Sequence, residues 1–496
     1  MRYATPFRIA LSTLLVAALG ACGTRSGAVR AEGSAPPPTP PATGSAPETE
    51  TTAVNPEPKT AAAKARTSRP AAASEGRAAP VQRAVAAGRA AAPPAPRAAS
   101  EWAQFRGPGG AGISPEAVPT SWSASEGIVW KTELPGAGTS SPILLGSRVF
   151  LTCYSGYSGP GQPGSSPDQL RRHVVCLDRA TGKLLWNSEV PGKTGEEASI
   201  REDHGYASST PAADAERVYA FFGRSGVFAI DHQGKQLWRA DVGDRTHNWG
   251  SAASPVLHGN LVIINASVES ESLVGLDRRT GKEVWRTGGI KESWNTPILV
   301  RNPAGKTELV VAIFRAVQGF DPETGERLWS CDTGINWYMV PSLVSRDGVV
   351  YCIGGRGGGG SLAIRTGGRG DVTGSHRLWK GDVGSNVPSP ILHGDHLYWM
   401  RDSPAVAFCA DAKTGRILYE ERVPGADQVY ASPVLAGGNL YYLSRGGRMF
   451  IVPAKPTFEV LATNELGERA TYNSTPAAAG GRLYLRSDRH LYCIGR

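Results

Sequence analysis

From Trp130 onward the chain alternates short apolar runs with turn residues, and the runs recur in a fixed order. A first run follows a Ser/Thr-Pro step at Ser141-Pro142, Thr210-Pro211, Ser254-Pro255, Thr296-Pro297, Ser389-Pro390, Ser432-Pro433 and Thr475-Pro476, with Val340-Pro341 in the fifth unit. A second run is almost wholly apolar, as in Arg148-Val149-Phe150-Leu151 and Arg217-Val218-Tyr219-Ala220. A third ends in Asp and a Thr-Gly turn, and a fourth carries Trp. Cys176–Trp186 and Gly275–Trp285 are the clearest copies, Gly319–Trp329 is a third, and Ala229–Trp238 is a shortened one. Runs of this length, bounded by Gly, Pro, Asp and Thr, predict β-strands joined by tight turns. Proline is tolerated at a strand's first position because no ladder donor is lost there.

Successive prolines stand 69, 44, 42, 44, 49, 43 and 43 residues apart. A period in the low forties is that of a four-stranded propeller blade. The long first interval holds two insertions, around Tyr154–Arg172 and Pro191–His204. The last unit has strands near Thr475–Ala478, Arg482–Arg486 and His490–Ile494 and lacks a fourth. Ile128–Leu134 is a Trp-bearing fourth strand with no unit before it. Pairing the two removes both open edges. The expected fold is therefore all-β: an eight-bladed β-propeller over residues 101–496, closed by its N-terminal strand on the C-terminal blade.

The unit resembles the tryptophan-docking repeat (Ala-x-Asp-x-x-Thr-Gly-x-x-x-Trp) of the pyrroloquinoline-quinone (PQQ)-type propeller superfamily. The opening Trp102-Ala103-Gln104-Phe105-Arg106-Gly107-Pro108 is also similar to secreted members of it. The resemblance weakens late in the chain, where Tyr419 replaces Trp and Phe458-Glu459-Val460 stands in for a fourth strand. It assigns Trp130, Trp186, Trp238, Trp285, Trp329 and Trp379 to docking between neighbouring blades.

The N-terminus follows a different pattern. Arg2 and Arg8 precede an apolar stretch from Ile9 to Leu19, too short to span a bilayer stably. Leu19-Gly20-Ala21-Cys22 then resembles a bacterial lipobox, which predicts a lipoprotein signal peptide over residues 1–21 and acylation at Cys22. Gly23 fits sorting to the outer membrane. Residues 22–100 are Ala/Pro-rich, as in Ala35-Pro36-Pro37-Pro38, and read as a disordered tether on the periplasmic side of the envelope.

Charge sharpens this division. The net formal charge is +9, but residues 1–100 carry 12 Lys/Arg and 5 acids, leaving 41 and 39 in the rest. The folded part is close to neutral, which gives no support to nucleic-acid binding.

Of the seven cysteines, Cys22 is the acylation candidate. Cys176, Cys409 and Cys493 take a repeat position filled elsewhere by Ala229, Gly275 or Gly319, so they read as small buried packing residues. Cys153 with Cys176 remains open as a disulfide, because the pair flanks an insertion and the envelope permits oxidation. There is no Cys-x-x-Cys, Walker A, His-Glu-x-x-His or Gly-x-Ser-x-Gly motif.

No catalytic residue or metal ligand is assigned. An active quinoprotein would need PQQ, a Ca²⁺ held by acids and amides, and in many relatives adjacent cysteines, which are absent here. The positive feature is an aromatic just before most first strands: Tyr206, Trp249, Trp294, Trp337 with Tyr338, Tyr430 and Tyr472. His204, Arg245, His247 and Asn295 accompany them. These connections fall on one face, at the channel mouth, and aromatics mixed with Arg and Asn are what binding surfaces use. The same rings equally suit plugging the channel or bracing the blades.

The leading expectation is a monomeric, lipid-anchored envelope propeller without a cofactor. It would bind a partner protein or small ligand, and it resembles the outer-membrane assembly factor (BamB-like) propellers. The alternatives are a PQQ- and Ca²⁺-dependent alcohol or sugar oxidoreductase, and a carbohydrate-binding or sensing propeller.

Overall fold

The computed structural model describes residues 101–157, 166–193, 200–201, 203–356 and 359–495. The leader, Cys22 and the Ala/Pro-rich stretch lie outside the described residues.

Each step opens a short innermost strand, and three strands follow it in order, antiparallel throughout. Blade 1 runs Ile143–Leu145, Arg148–Ser155, Arg171–Asp178 and Leu184–Val190. Blades 2 to 7 occupy 212–240, 256–288, 298–332, 344–381, 391–422 and 434–464. Blade 8 comprises Ala477–Ala479, Arg482–Arg486 and His490–Ile494, and its outer strand is Ile128–Glu133. The expected closure is present: Trp130 pairs with Cys493 and Glu133 with His490, with a bulge after Ile128.

Burial follows from position in the blade. Middle strands lie between two neighbouring sheets, so Leu261–Ala266 is buried at every residue. Outer strands face solvent on one side and alternate, as in Glu283–Gly288. The six described cysteines are all buried and free. Cys176, Cys409 and Cys493 each sit directly across the ladder from the outer-strand aromatic, Trp186, Tyr419 and Trp130, where only a small side chain fits.

Four of the six predicted tryptophans bond to the next blade, while Trp285 Nε1 has no hydrogen-bond partner among the described residues. The Nε1 of Trp130 donates to Arg179 O of blade 1 at 3.2 Å, Trp186 to His232 O at 2.9 Å, Trp238 to Arg278 O at 3.0 Å and Trp379 to Ala412 O at 2.9 Å. Each acceptor directly follows the turn Asp of the next blade. The turn glycine does more than supply positive φ: it is the floor on which the preceding blade's indole lies. A Cβ on Gly281 would stand 2.6 Å from Trp238, and one on Gly325 2.4 Å from Trp285, both at φ +73. Gly289 has φ +87 and nothing within 4 Å. Gly325→Ala is expected to cost about 3 kcal/mol, against about 1–2 kcal/mol for Gly289→Ala, because only the first adds a clash to the backbone strain. Equal shifts of the two variants in denaturant melts would refute the floor role.

Trp329 departs from the rule. Blade 5 has no Asp-x-x-Thr-Gly turn, and Gly370–Asp371 instead adds a fifth, parallel strand outside Arg327–Asp332. Trp329 Nε1 then donates at 2.8 Å to Glu308 in its own blade, a buried carboxylate that also accepts from Asn302 Nδ2 at 2.8 Å.

The Ser/Thr of each step links neighbouring blades. The backbone N–H of Ser141 donates to Thr210 Oγ1, and the same bond runs from Thr210 to Ser254, Ser254 to Thr296, Thr296 to Ser342, Ser342 to Ser389, Ser389 to Ser432 and Ser432 to Thr475. All seven lie between 2.8 and 3.1 Å. Blade 5 enters this ring through Ser342. The hydroxyl thus follows Pro341, and the innermost strand Val344–Arg346 starts later than the Val340-Pro341 step implies. Among the described residues the junction of blades 8 and 1 has no such bond. There Ser474 Oγ and Arg486 Nη1 both donate to Ser140 O at 2.8 Å.

The segment before the propeller's first pairing strand fills one end of the channel. Trp102 bridges to Leu144 of blade 1, Ala103 O accepts from Ala213 N of blade 2, and Ile113–Ser114 pairs in parallel with Val434–Ala436 of blade 7. The mouth residues precede the hydroxyl ring in each unit and these contacts follow it, so the plug lies at the end away from the mouth.

Candidate functional site

The connections entering the innermost strands bring most of the predicted aromatics together. His204 is the centre. Its ring stacks on Tyr430 with centroids 5.8 Å apart and 8° between planes, and meets Trp249 edge-on at 5.3 Å. Trp249 continues to Tyr338 at 6.5 Å, Tyr338 to Trp294 at 5.5 Å and to Trp337 at 5.0 Å, and Trp294 to His247 at 5.1 Å. The result is a continuous aromatic ladder from blade 7 round to blade 5.

Two guanidiniums cover it: Arg201 lies 4.1 Å over Trp249 and Arg445 4.6 Å over Tyr430. Neither is evident from the repeat. Arg445 also donates to Asp203 Oδ1 at 2.6 Å and to Gln428 Oε1 at 2.8 Å, while Asn473 Nδ2 donates to Asp203 O at 2.7 Å. His204 is thus carried from the connection between blades 1 and 2 and tied to blades 7 and 8. Burial holds the His204 imidazole down at about 4, with Arg445 and Arg201 adding to the effect of burial and Asp203 opposing it. Burial thus favours the neutral form of the ring.

Other predicted residues lie elsewhere. Tyr472 is 1% exposed and belongs to the core of blades 7, 8 and 1. Tyr206 is buried beside Tyr154 at 5.4 Å and Tyr157 at 5.6 Å. Asn295 is buried, its Nδ2 donating to Ala312 O at 2.6 Å and Ser293 Oγ at 3.0 Å, so it braces backbone. Arg245 is exposed and pairs with Glu271 at 3.1 Å, while His247 is exposed at the ladder's end. Trp294 is buried, donating from Nε1 to Gly250 O at 2.8 Å, whereas Trp249, Trp337, Tyr338 and Tyr430 are half-buried. The ladder thus has a structural foot, Trp294, and accessible rungs.

The residues present do not fit PQQ with Ca²⁺. The centre of the mouth is occupied by His204 against Tyr430. The cavity beneath measures about 100 Å³, below the roughly 300 Å³ at which small-molecule pockets begin. Among the described residues no three His, Cys, Asp or Glu side chains converge in a way that would hold a metal ion. An acid–amide pair, Asp402 with Asn386, lies beside Trp337. Burial raises the Asp402 carboxyl, and Asn386 Oδ1 accepts from Trp337 Nε1 at 2.9 Å.

Comparison with known proteins agrees with this architecture. The family model described as outer membrane protein assembly factor BamB matches residues 168–292. A tetrathionate hydrolase of Acidithiobacillus ferrooxidans is 25% identical over 232 residues, 42% of this chain and 43% of the relative. The assembly factor BamB of Burkholderia pseudomallei is 24% identical over 209 residues, 40% of this chain and 44% of the relative. The chain therefore spans less than half the length of these curated relatives. Among solved structures, the quinohemoprotein alcohol dehydrogenase of Comamonas testosteroni superposes with a TM-score of 0.60 at 11% identity, covering 80% of this chain and 81% of that one. With eight blades, the docking tryptophans and these matches, the chain is a member of the PQQ-like β-propeller superfamily.

Proposed function

We propose that this chain is a lipid-anchored protein of the bacterial envelope whose propeller is a non-catalytic interaction platform serving outer-membrane protein assembly. The carrying observation is the half-buried ladder Tyr430–His204–Trp249–Tyr338, overlaid by Arg201 and Arg445 at one end of a channel plugged at the other. Rigid aromatics beside Arg are the composition of binding hot spots. The match to the assembly-factor family model supports the cellular role, and Cys22 would supply the anchor.

The two tryptophans separate binding from bracing. Trp249→Ala in the full chain is expected to weaken capture of its envelope partner by tenfold or more, a hot-spot loss of about 2 kcal/mol, with little change in melting temperature. Trp294→Ala, which removes a buried indole, is expected to cost about 3–5 kcal/mol of stability instead. Pull-down from detergent-solubilised envelope, read beside thermal melts, checks both. Unchanged capture by the folded Trp249 variant would sink the platform reading. So would dye reduction by the purified protein after addition of PQQ and Ca²⁺.

A further inference from the structure

The channel interior has a chemistry of its own. Six ring hydroxyls line the cavity beneath the mouth: Thr210, Thr296, Ser342, Ser389, Ser432 and Thr475. Each accepts the backbone N–H of the preceding blade. A hydroxyl that accepts one such bond still has its own hydrogen to donate. Among the described residues none of the six donates to a protein acceptor, and no carboxylate lines the cavity. Donors from six blades therefore converge on one space, whose lining also includes Asn473 Oδ1, an acceptor without a partner among the described residues.

Two buried cations flank the same ring. Arg486 is fully buried and donates to Ser140, the residue before Ser141. Arg106 is fully buried in the plug and donates to the carbonyl of Pro390, the residue after Ser389. Neither forms an ion pair among the described residues, and Arg106 Nη1 and Arg486 Nε have no hydrogen-bond partner. Burial pulls the Arg106 guanidinium down to about 9. Buried charge is costly without a counter-charge, and here each cation bonds next to a ring residue, behind the residues that line the cavity.

From these observations we propose that the central channel binds a small inorganic oxyanion of the sulfate class, held by the ring hydroxyls and balanced by Arg106 and Arg486. The cavity of about 100 Å³ takes one such ion or about three waters. His204, Trp294 and Tyr430 of the mouth also line this cavity, but the anion is held by the ring hydroxyls, and neither reading depends on the other.

Sulfate titrated calorimetrically into the full chain at constant ionic strength is expected to show one saturable site. The double variant Thr296→Val/Ser389→Ala should weaken it about tenfold or more, because each removes a hydrogen bond to a charged group. Leu237→Ala, on an exposed outer strand, should leave it unchanged. Crystals of the unaltered protein grown with selenate should show an anomalous peak among the ring hydroxyls. That measurement decides the matter even where the double variant fails to fold. No saturable heat up to about 10 mM, a selenate peak only outside the channel, or water alone in the cavity would overturn the proposal.

Discussion

Removal of residues 487–496 is expected to abolish the cooperative melting of the propeller. The strand His490–Ile494 pairs on both sides, with Arg482–Arg486 and with Ile128–Glu133, and it is the element on which the ring closes. Its loss takes Leu491, Tyr492, Cys493 and Ile494, each at most 1% exposed, from the largest hydrophobic cluster. At roughly 2–5 kcal/mol for each of the large side chains Leu491, Tyr492 and Ile494, the loss of about 6–15 kcal/mol is as large as the 5–15 kcal/mol by which a typical protein is stable. It also strips Ile128–Glu133 of its partner, leaving a long unpaired edge beside an exposed Val129. Such edges template aggregation. Calorimetry should therefore show no sharp transition, and size exclusion should show aggregates. A truncated chain that stays monodisperse and melts at the full-length temperature would show that the seam is not the closure.

The blade count was legible because the repeat residues are spent on demands the fold makes everywhere. A Ser/Thr at the step joins neighbours through its hydroxyl, Gly in the turn receives an indole, and Trp covers it. Blade 5 shows which of these the fold enforces. Its proline stands before the hydroxyl instead of after it, a shift of two residues, and the hydroxyl did not move, because Ser342 must still accept from Thr296. Proline at a strand start is merely permitted, so a reading keyed to proline misplaces that blade. Likewise, where blade 5 lost its turn, Trp329 kept its place by finding Glu308 in its own sheet.

The site was legible only in part. Position in the repeat tells which end of the channel a residue lies near, so Trp249, Tyr338 and Tyr430 could be assigned to one face. It does not tell whether a ring points up or into the blade interface, and Tyr472 and Asn295 point inward. His204, Asp203 and Arg445 meet across 242 residues of sequence, a contact that no local pattern encodes. The plug formed by Trp102–Ser114 was equally hidden, since its glycine-rich stretch carries no strand period.

Arg486→Ala is expected to open the junction of blades 8 and 1 from inside and to cost about 3 kcal/mol. Seven blade junctions carry the hydroxyl–amide bond, and the eighth carries Arg486 instead. Its Nη1 reaches Ser140 O at 2.8 Å and Ser140 Oγ at 2.6 Å, its Nη2 reaches Cys153 Sγ at 3.4 Å, and Ser140 Oγ bonds in turn to Thr152. Loss of these charge-assisted bonds costs about 1.5–3 kcal/mol each, and the emptied volume adds more. Removing a buried, unpaired cation returns part of that. Arg486→Met, which keeps the volume and drops the charge, should therefore cost less than the alanine variant. Thr296→Val, which deletes one ordinary link, should cost only about 1 kcal/mol. The order Ala, then Met, then Thr296→Val in denaturant midpoints tests the assignment. Hydrogen exchange adds location: faster exchange confined to Arg482–Arg486 and Arg148–Ser155 is expected for Arg486→Ala. An alanine variant no less stable than Thr296→Val would mean that the junction of blades 8 and 1 is held by side-chain packing alone, with Arg486 contributing nothing beyond an ordinary link.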